Sequence, residues 1–269
     1  MSVFSLELRN QRAGALTNAL SIGAVIFAML AFFPAMQTES MQALAGAKME
    51  GVDPALLAAL GLGEMLDFSV ITNFFGYVLQ YITLAALVVL TQQAVGLFIK
   101  EERDGTIEYL CAKPVSRTDI FVQKLMAHGL IFLLSLMLWT AITVAGYRLF
   151  GDYSLGAAIR EAAVFFSAIL FVGLVFSAAG VLLSTLLKGG QSTAGITIAI
   201  VFGTFVLGMM SAAVEGLGFL KWLSPMDWIK SAKLMGDGIL WQEWLVGIVV
   251  IVGCTAGACL RYRRKDLLV

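Results

Sequence analysis

Residues 68–99 read FSVITNFFGYVLQYITLAALVVLTQQAVGLFI, thirty-two positions without one charged side chain. A helix needs about 20 apolar residues to cross a hydrocarbon core roughly 30 Å thick. This run therefore spans a bilayer with length to spare and is expected to tilt or to protrude into water. Five further gaps between charges are long enough to cross: 13–38, 125–147 (interrupted only by His128), 162–187, 189–214 and, at the short limit, 244–260. The whole chain agrees, with 59% hydrophobic and 13% charged residues, against about 25% charged in soluble domains. None of the runs shows the period-two alternation of a barrel strand, and helices satisfy their own backbone in lipid. The expected fold is an all-α integral membrane protein with six transmembrane helices.

Lysine and arginine set the orientation. With the N-terminus inside, six crossings place 12 of the 18 basic residues on the cytoplasmic side, among them Arg9, Arg12, Lys100, Arg117, Lys124 and Arg261. Both termini are then cytoplasmic, as the positive-inside rule prefers. The first apolar run exceeds the 7–15 residues of a signal-peptide core, so it is read as a retained span. The net charge is zero, which makes no case for nucleic acid. Cys111, Cys254 and Cys259 have no metal-site spacing and are read as small packing residues.

Directly after the long run comes KEERDGTIEYLCAKPVSRTDIFVQK, residues 100–124, with ten charges in 25 positions. At roughly 3 kcal/mol per charge near the bilayer centre, this segment cannot lie in lipid. Asp104 and Gly105 should stop the helix. Ile107, Leu110 and Cys111 then recur on one face of a short amphipathic helix that Pro114 ends. Ser116 stands three residues before Asp119, the spacing of a capping box, so a new helix should open there. Solvated loop and structured docking helix both fit this composition. The chain carries no phosphate-binding G-x-x-x-x-G-K-[ST] motif, no H-E-x-x-H motif and one histidine, so energy for any work would come from a partner.

On the other side, residues 37–67 form an acidic outer connection in which 54–61 read as a short amphipathic helix. The third outer connection, 215–243, mixes Trp222, Trp228 and Trp241, with Trp244 just beyond it, and Lys221, Lys230 and Lys233, a headgroup-layer pattern that Ser224-Pro225 breaks into two arms of a re-entrant outer hairpin before span six. Within the spans the polar side chains are uncharged. Asn73, Gln80 and Thr83 of the second span and Thr193 and Thr197 of the fifth either line a path or join helices. The absence of central charges counts against a proton- or sodium-coupled carrier. Ala199 with Gly203, and Gly253 with Gly257, have the small-xxx-small spacing of close helix contact, by default within one subunit. His128 is read as a packing residue.

The segment EERDGTIEYLCAKPVSRTDIFVQK resembles the stretch after the second span of ABC type-2 transporter permeases: glutamates, Gly-Thr-(apolar)-Glu, then Pro-(apolar)-Ser-Arg and a lysine. The charged N-terminal stretch, the Ser-Pro turn before the last span and the basic tail RYRRKDL are similar too. The resemblance implies a single permease domain over 1–269, with an N-terminal interfacial helix at 1–12 and a cytosolic coupling segment at 100–118. It further implies a homodimer in a bacterial inner membrane, joined through spans one and five, that docks two cytosolic ABC ATPase subunits. Those subunits, not this chain, would bind ATP and magnesium. Carried onto this sequence, the docking residues are Glu101, Glu102, Arg103, Gly105, Thr106 and Glu108, with Pro114, Ser116 and Arg117 shaping the exit. The expected function is export of an amphipathic or hydrophobic substrate; a stand-alone carrier or a scaffold of a membrane complex is the alternative.

Overall fold

The computed structural model describes residues 2–38, 40, 57, 68–105, 115–187, 192–214, 216–236 and 238–264. Among them all regular structure is helical: α1 (Val3–Met36), α2 (Ile71–Arg103), α3 (Arg117–Phe150), α4 (Leu155–Leu186), α5 (Thr193–Ala213), two 3₁₀ segments (Gly218–Leu223 and Pro225–Ile229), α6 (Ser231–Met235) and α7 (Trp241–Arg264). The six α-helices other than α6 are long and apolar enough to cross a bilayer, and each covers most of one of the six runs expected from the charge gaps.

Helices α1 to α4 are 32 to 34 residues long, close to 50 Å at 1.5 Å per residue. They outrun the hydrocarbon core because Lys, Glu and Arg are good helix formers, so a helix does not stop where its charges begin. Helix α2 continues through Lys100, Glu101, Glu102 and Arg103, then stops as Asp104 donates its N–H to the Lys100 carbonyl at 2.8 Å. Gly105 follows with φ +65°, the left-handed conformation that favours glycine. The expected interfacial helix at 1–12 is not a separate element. From Val3 it is the opening of α1, unbroken into the span and held alongside α3 by the Phe4 N–H, which donates to Gln123 Oε1 at 3.0 Å.

The capping box at the start of α3 is present. Asp119 N–H donates to Ser116 Oγ at 3.1 Å, and Ser116 N–H donates back to Asp119 Oδ2 at 3.3 Å. The substitution Ser116→Ala removes one of these bonds and is expected to cost about 1 kcal/mol, read as a lower thermal midpoint of the purified protein in detergent.

Helices α2 and α4 form the centre, with 61% and 67% of their most apolar windows buried, against 17% for both α5 and α7. Around them α1 packs on α3 and α2, α5 packs on α2, and α7 packs on α4 and α3. The start of α1, the end of α2, the start of α3, the end of α4 and the end of α7 meet in one cluster around Val3, Phe98, Phe121, Val181 and Tyr262. This is the terminal end of the bundle; the opposite end is distal. At the distal end the break expected at Ser224-Pro225 is present between the two 3₁₀ segments. They fold back on α5, where a Cβ on Gly208 would lie 2.4 Å from Ser224 Oγ. Trp228 is no headgroup anchor: it is 1% exposed, stacked near Phe171 with ring centroids 6.1 Å apart, and donates Nε1–H to the Lys221 carbonyl at 3.2 Å. Trp241 and Trp244 are exposed. The helix expected at 54–61 lies, apart from Leu57, outside the described residues.

Candidate functional site

The terminal end holds a buried ionic knot. Lys124, in the second turn of α3, is 1% exposed although it carries an ammonium. That ammonium has three donors, and three acceptors from two other helices surround it: Glu101 Oε1 and the Leu97 carbonyl (2.5 Å) of α2, and Glu7 Oε2 (3.4 Å) of α1. The Phe98 ring lies 5.5 Å from Nζ, and Gln11 Nε2 donates to Glu7 Oε1 at 2.5 Å. An ammonium placed here alone would cost several kcal/mol of lost hydration, and only a near-complete set of partners offsets that. The position is dictated by register. Ile120, Phe121, Lys124, Ala127, His128, Ile131 and Phe132 are all buried and recur at helical spacing, so Lys124 occupies a core position of the stripe. Counting charges treats every lysine as solvated and misses this; following the stripe back from the span would have found it. Glu101 and Lys124 flank residues 102–123, so the knot closes the base of the charged segment and attaches it to α1.

The other residues expected to dock a partner are placed as follows. Glu102 is half-buried, Arg103 and Asp104 are exposed and paired at 3.2 Å, and no described residue comes within 4 Å of a Cβ at Gly105. Arg117 Nη1 donates to the Arg263 carbonyl at 3.5 Å, joining the start of α3 to the end of α7. Thr106, Glu108 and Pro114, together with the expected coupling helix, lie outside the described residues.

A polar cleft of about 270 Å³ opens beside the knot between α1 and α2, lined by Asn10, Gln11 and Asn18 from one side and Gln93 and Lys100 from the other. Of the uncharged polar residues expected on a path, Thr193 accepts a hydrogen bond from Gln92 Nε2 at 2.7 Å and so joins α5 to α2. Thr197 is fully buried and donates to the Thr193 carbonyl at 2.9 Å. Gln80 and Thr83 are buried in α2, and Asn73 is half-buried. His128 is buried too, with Nε2 3.2 Å from Ser177 Oγ of α4. The small-residue pairs divide. Gly257 lies against Leu182, 3.6 Å from where its Cβ would be, whereas Ala199, Gly203 and Gly253 are exposed and nothing approaches a Cβ at either glycine. Helix α1 turns a similar face outward, with Gly14, Thr17, Ser21, Ala24, Ala28 and Ala31 all exposed at alternating spacings of three and four.

Six helices long and apolar enough to cross a bilayer, with the buried carboxylates of Glu7 and Glu243 paired to lysines near the helix ends, define a multi-pass membrane protein. A sequence profile described as ABC-2 family transporter protein matches residues 1–267, and the chain belongs to that family. Members of the family are transmembrane permease subunits, generally not enzymes themselves, that associate with ABC ATPase partners. No curated protein matches the chain.

Proposed function

We propose that the chain is the permease subunit of an ATP-driven exporter in a bacterial inner membrane. Two copies pair, and two cytosolic ABC ATPase subunits that bind ATP and magnesium dock on them. The terminal end is cytoplasmic, in keeping with the 12 basic residues that this orientation places inside.

The observation that carries the reading is the knot at Lys124. A partner gripping Glu102, Arg103, Gly105, Thr106 and Glu108 would push on a segment whose two bases are joined, through Glu101 and Lys124, to α2 and α3 and, through Glu7, to α1. Displacement would then move three helices together rather than bend a loose loop. The mixed charges of the segment would set partner choice and orientation more than affinity. The outward small-residue faces of α1 and α5 suit a second copy, because small residues let helix backbones approach closely in lipid. The cleft beside α1 would then open toward the seam between copies, its wall mostly the amides of Asn10, Gln11, Asn18 and Gln93, with Glu7 and Lys100 its two charged residues. That supports an amphipathic or hydrophobic substrate: a peptide, a drug or a lipid-like molecule. The 3₁₀ segments and α6 are the re-entrant hairpin closing the outer side.

The test is charge reversal. In Glu102→Lys/Glu108→Lys the permease is expected to remain in the membrane but to lose co-purification of the ATPase and ATP-driven transport. Unchanged assembly and transport would overturn the docking assignment. Uptake or efflux by the purified chain alone, without any ATPase, would replace the reading with a secondary carrier.

A further inference from the structure

A second cleft, about 510 Å³, lies between α1 and α3. Its walls are Ala15, Leu16 and Ala19 of α1 and Ile131, Leu134 and Leu138 of α3, with Arg9 and Arg12 at its terminal-end mouth. The two helices are tied above and below it. Trp139 Nε1–H donates to the Ala19 carbonyl at 2.9 Å at the inner limit, and the Phe4 N–H donates to Gln123 Oε1 at 3.0 Å past the mouth. The only hydroxyl on the walls, Ser135, donates to its own helix at the Ile131 carbonyl, 2.9 Å away, so the interior offers a ligand no free polar group.

From Leu8 to Ala19 the cleft runs eleven residues of α1, about 16 Å along the axis. That is close to half of a hydrocarbon core of roughly 30 Å, the depth of one leaflet. Arg9 and Arg12, one turn apart, are exposed at the level where the apolar run begins. No carboxylate among the described residues pairs with either of them. The nearest acid on their helix, Glu7, is turned toward Lys124 and Gln11.

We infer that this cleft binds one phospholipid of the terminal-end leaflet, an acyl chain lying along the walls and an anionic headgroup held by Arg9 and Arg12. Depth matches the chain, and the paired guanidinium groups match a phosphate, which they can bind bidentately. A zwitterionic lipid would fill the same space, but its ammonium would oppose both arginines. The site therefore selects by net headgroup charge. It requires only that the protein spans a membrane, and is independent of what the permease transports.

The purified protein is equilibrated in mixed micelles of detergent with phosphatidylglycerol and phosphatidylethanolamine, and lipid retained per chain is read by native mass spectrometry. The wild type is expected to retain one phosphatidylglycerol in preference to phosphatidylethanolamine. Arg9→Gln/Arg12→Gln should retain it roughly thirtyfold more weakly, as expected for two basic residues near a lipid surface. Arg261→Gln/Arg264→Gln removes as many charges from the same end outside the cleft and should leave retention unchanged. Leu134→Trp, which keeps both arginines and fills the cleft, should expel both lipids. Three results would overturn the assignment: equal retention by wild type and Arg9→Gln/Arg12→Gln, equal loss in Arg261→Gln/Arg264→Gln, or unaltered lipid retention with loss of ATPase co-purification in Arg9→Gln/Arg12→Gln. The last would give the arginines to a protein partner.

Discussion

Replacing Lys124 by methionine is expected to destabilise the permease by on the order of 3–5 kcal/mol, the cost of breaking a buried ion pair from one side. Methionine keeps much of the volume and loses the ammonium, leaving the carboxylates of Glu7 and Glu101 in a site with no counter-charge. The loss is therefore not a packing defect but an uncompensated burial of negative charge. The triple variant Glu7→Gln/Glu101→Gln/Lys124→Met tests this directly. It removes all three charges, and since a buried triad can often be replaced by neutral groups with little loss, most of the stability should return. Thermal or denaturant unfolding in detergent measures both. A single variant as stable as wild type would show that the knot is hydrated. A triple variant as unstable as the single one would show that Lys124 matters for shape alone. ATP-driven transport separates a further point: if the knot transmits motion, the triple variant recovers stability without recovering coupled transport.

Lys124 also shows where reading the sequence stops. Charge gaps located all six spans because the penalty for charge in lipid acts residue by residue and needs no partner. The stop at Asp104 and Gly105, the box of Ser116 and Asp119 and the break at Ser224 were legible for the same reason, since each is local backbone chemistry. What was not legible is which face meets which helix. Glu101 reads in the sequence as one of the docking residues because its partner, Lys124, lies 23 positions away on another helix. Trp228 and Trp241 have the same propensity for the headgroup layer, yet one is enclosed beside Phe171 and the other is exposed. Gly203 and Gly257 share a spacing motif, but among the described residues only Gly257 finds a neighbour. The continuity of α1 escaped too, because a charged stretch ahead of a span is compatible with either a separate helix or a longer one. Contact with α3, through Phe4 and Glu7, accompanies the longer one.

The distal fold-back yields the second large effect, and two glycines of α2 isolate it. A Cβ at Gly76 would lie 1.8 Å from Ser231 Oγ and 2.8 Å from Ser231 Cβ, whereas one at Gly96 meets nothing within 4 Å. Both substitutions to alanine gain the same helix propensity, up to about 1 kcal/mol. At Gly96 nothing opposes that gain, so Gly96→Ala should be neutral or stabilising. At Gly76 the hydroxyl can rotate but the serine Cβ cannot yield without moving the backbone of α6, and overpacking of this kind costs about 1–3 kcal/mol. Gly76→Ala is therefore expected to be destabilising, with a gap between the two variants of about 1–3 kcal/mol in unfolding free energy. Adding Ser231→Gly should recover most of it. The pair also reports on position, because the two shortest contacts, both with Ser231, exist only while α6 is seated on the distal end of α2; the third, Phe165 Cζ of α4 at 3.0 Å, is a ring end that can give by a few tenths of an ångström. Equal stability of Gly76→Ala and Gly96→Ala would mean that the segment from Gly218 to Met235 leaves that seat in solution. A fold-back held only loosely could not cover the distal end of the bundle.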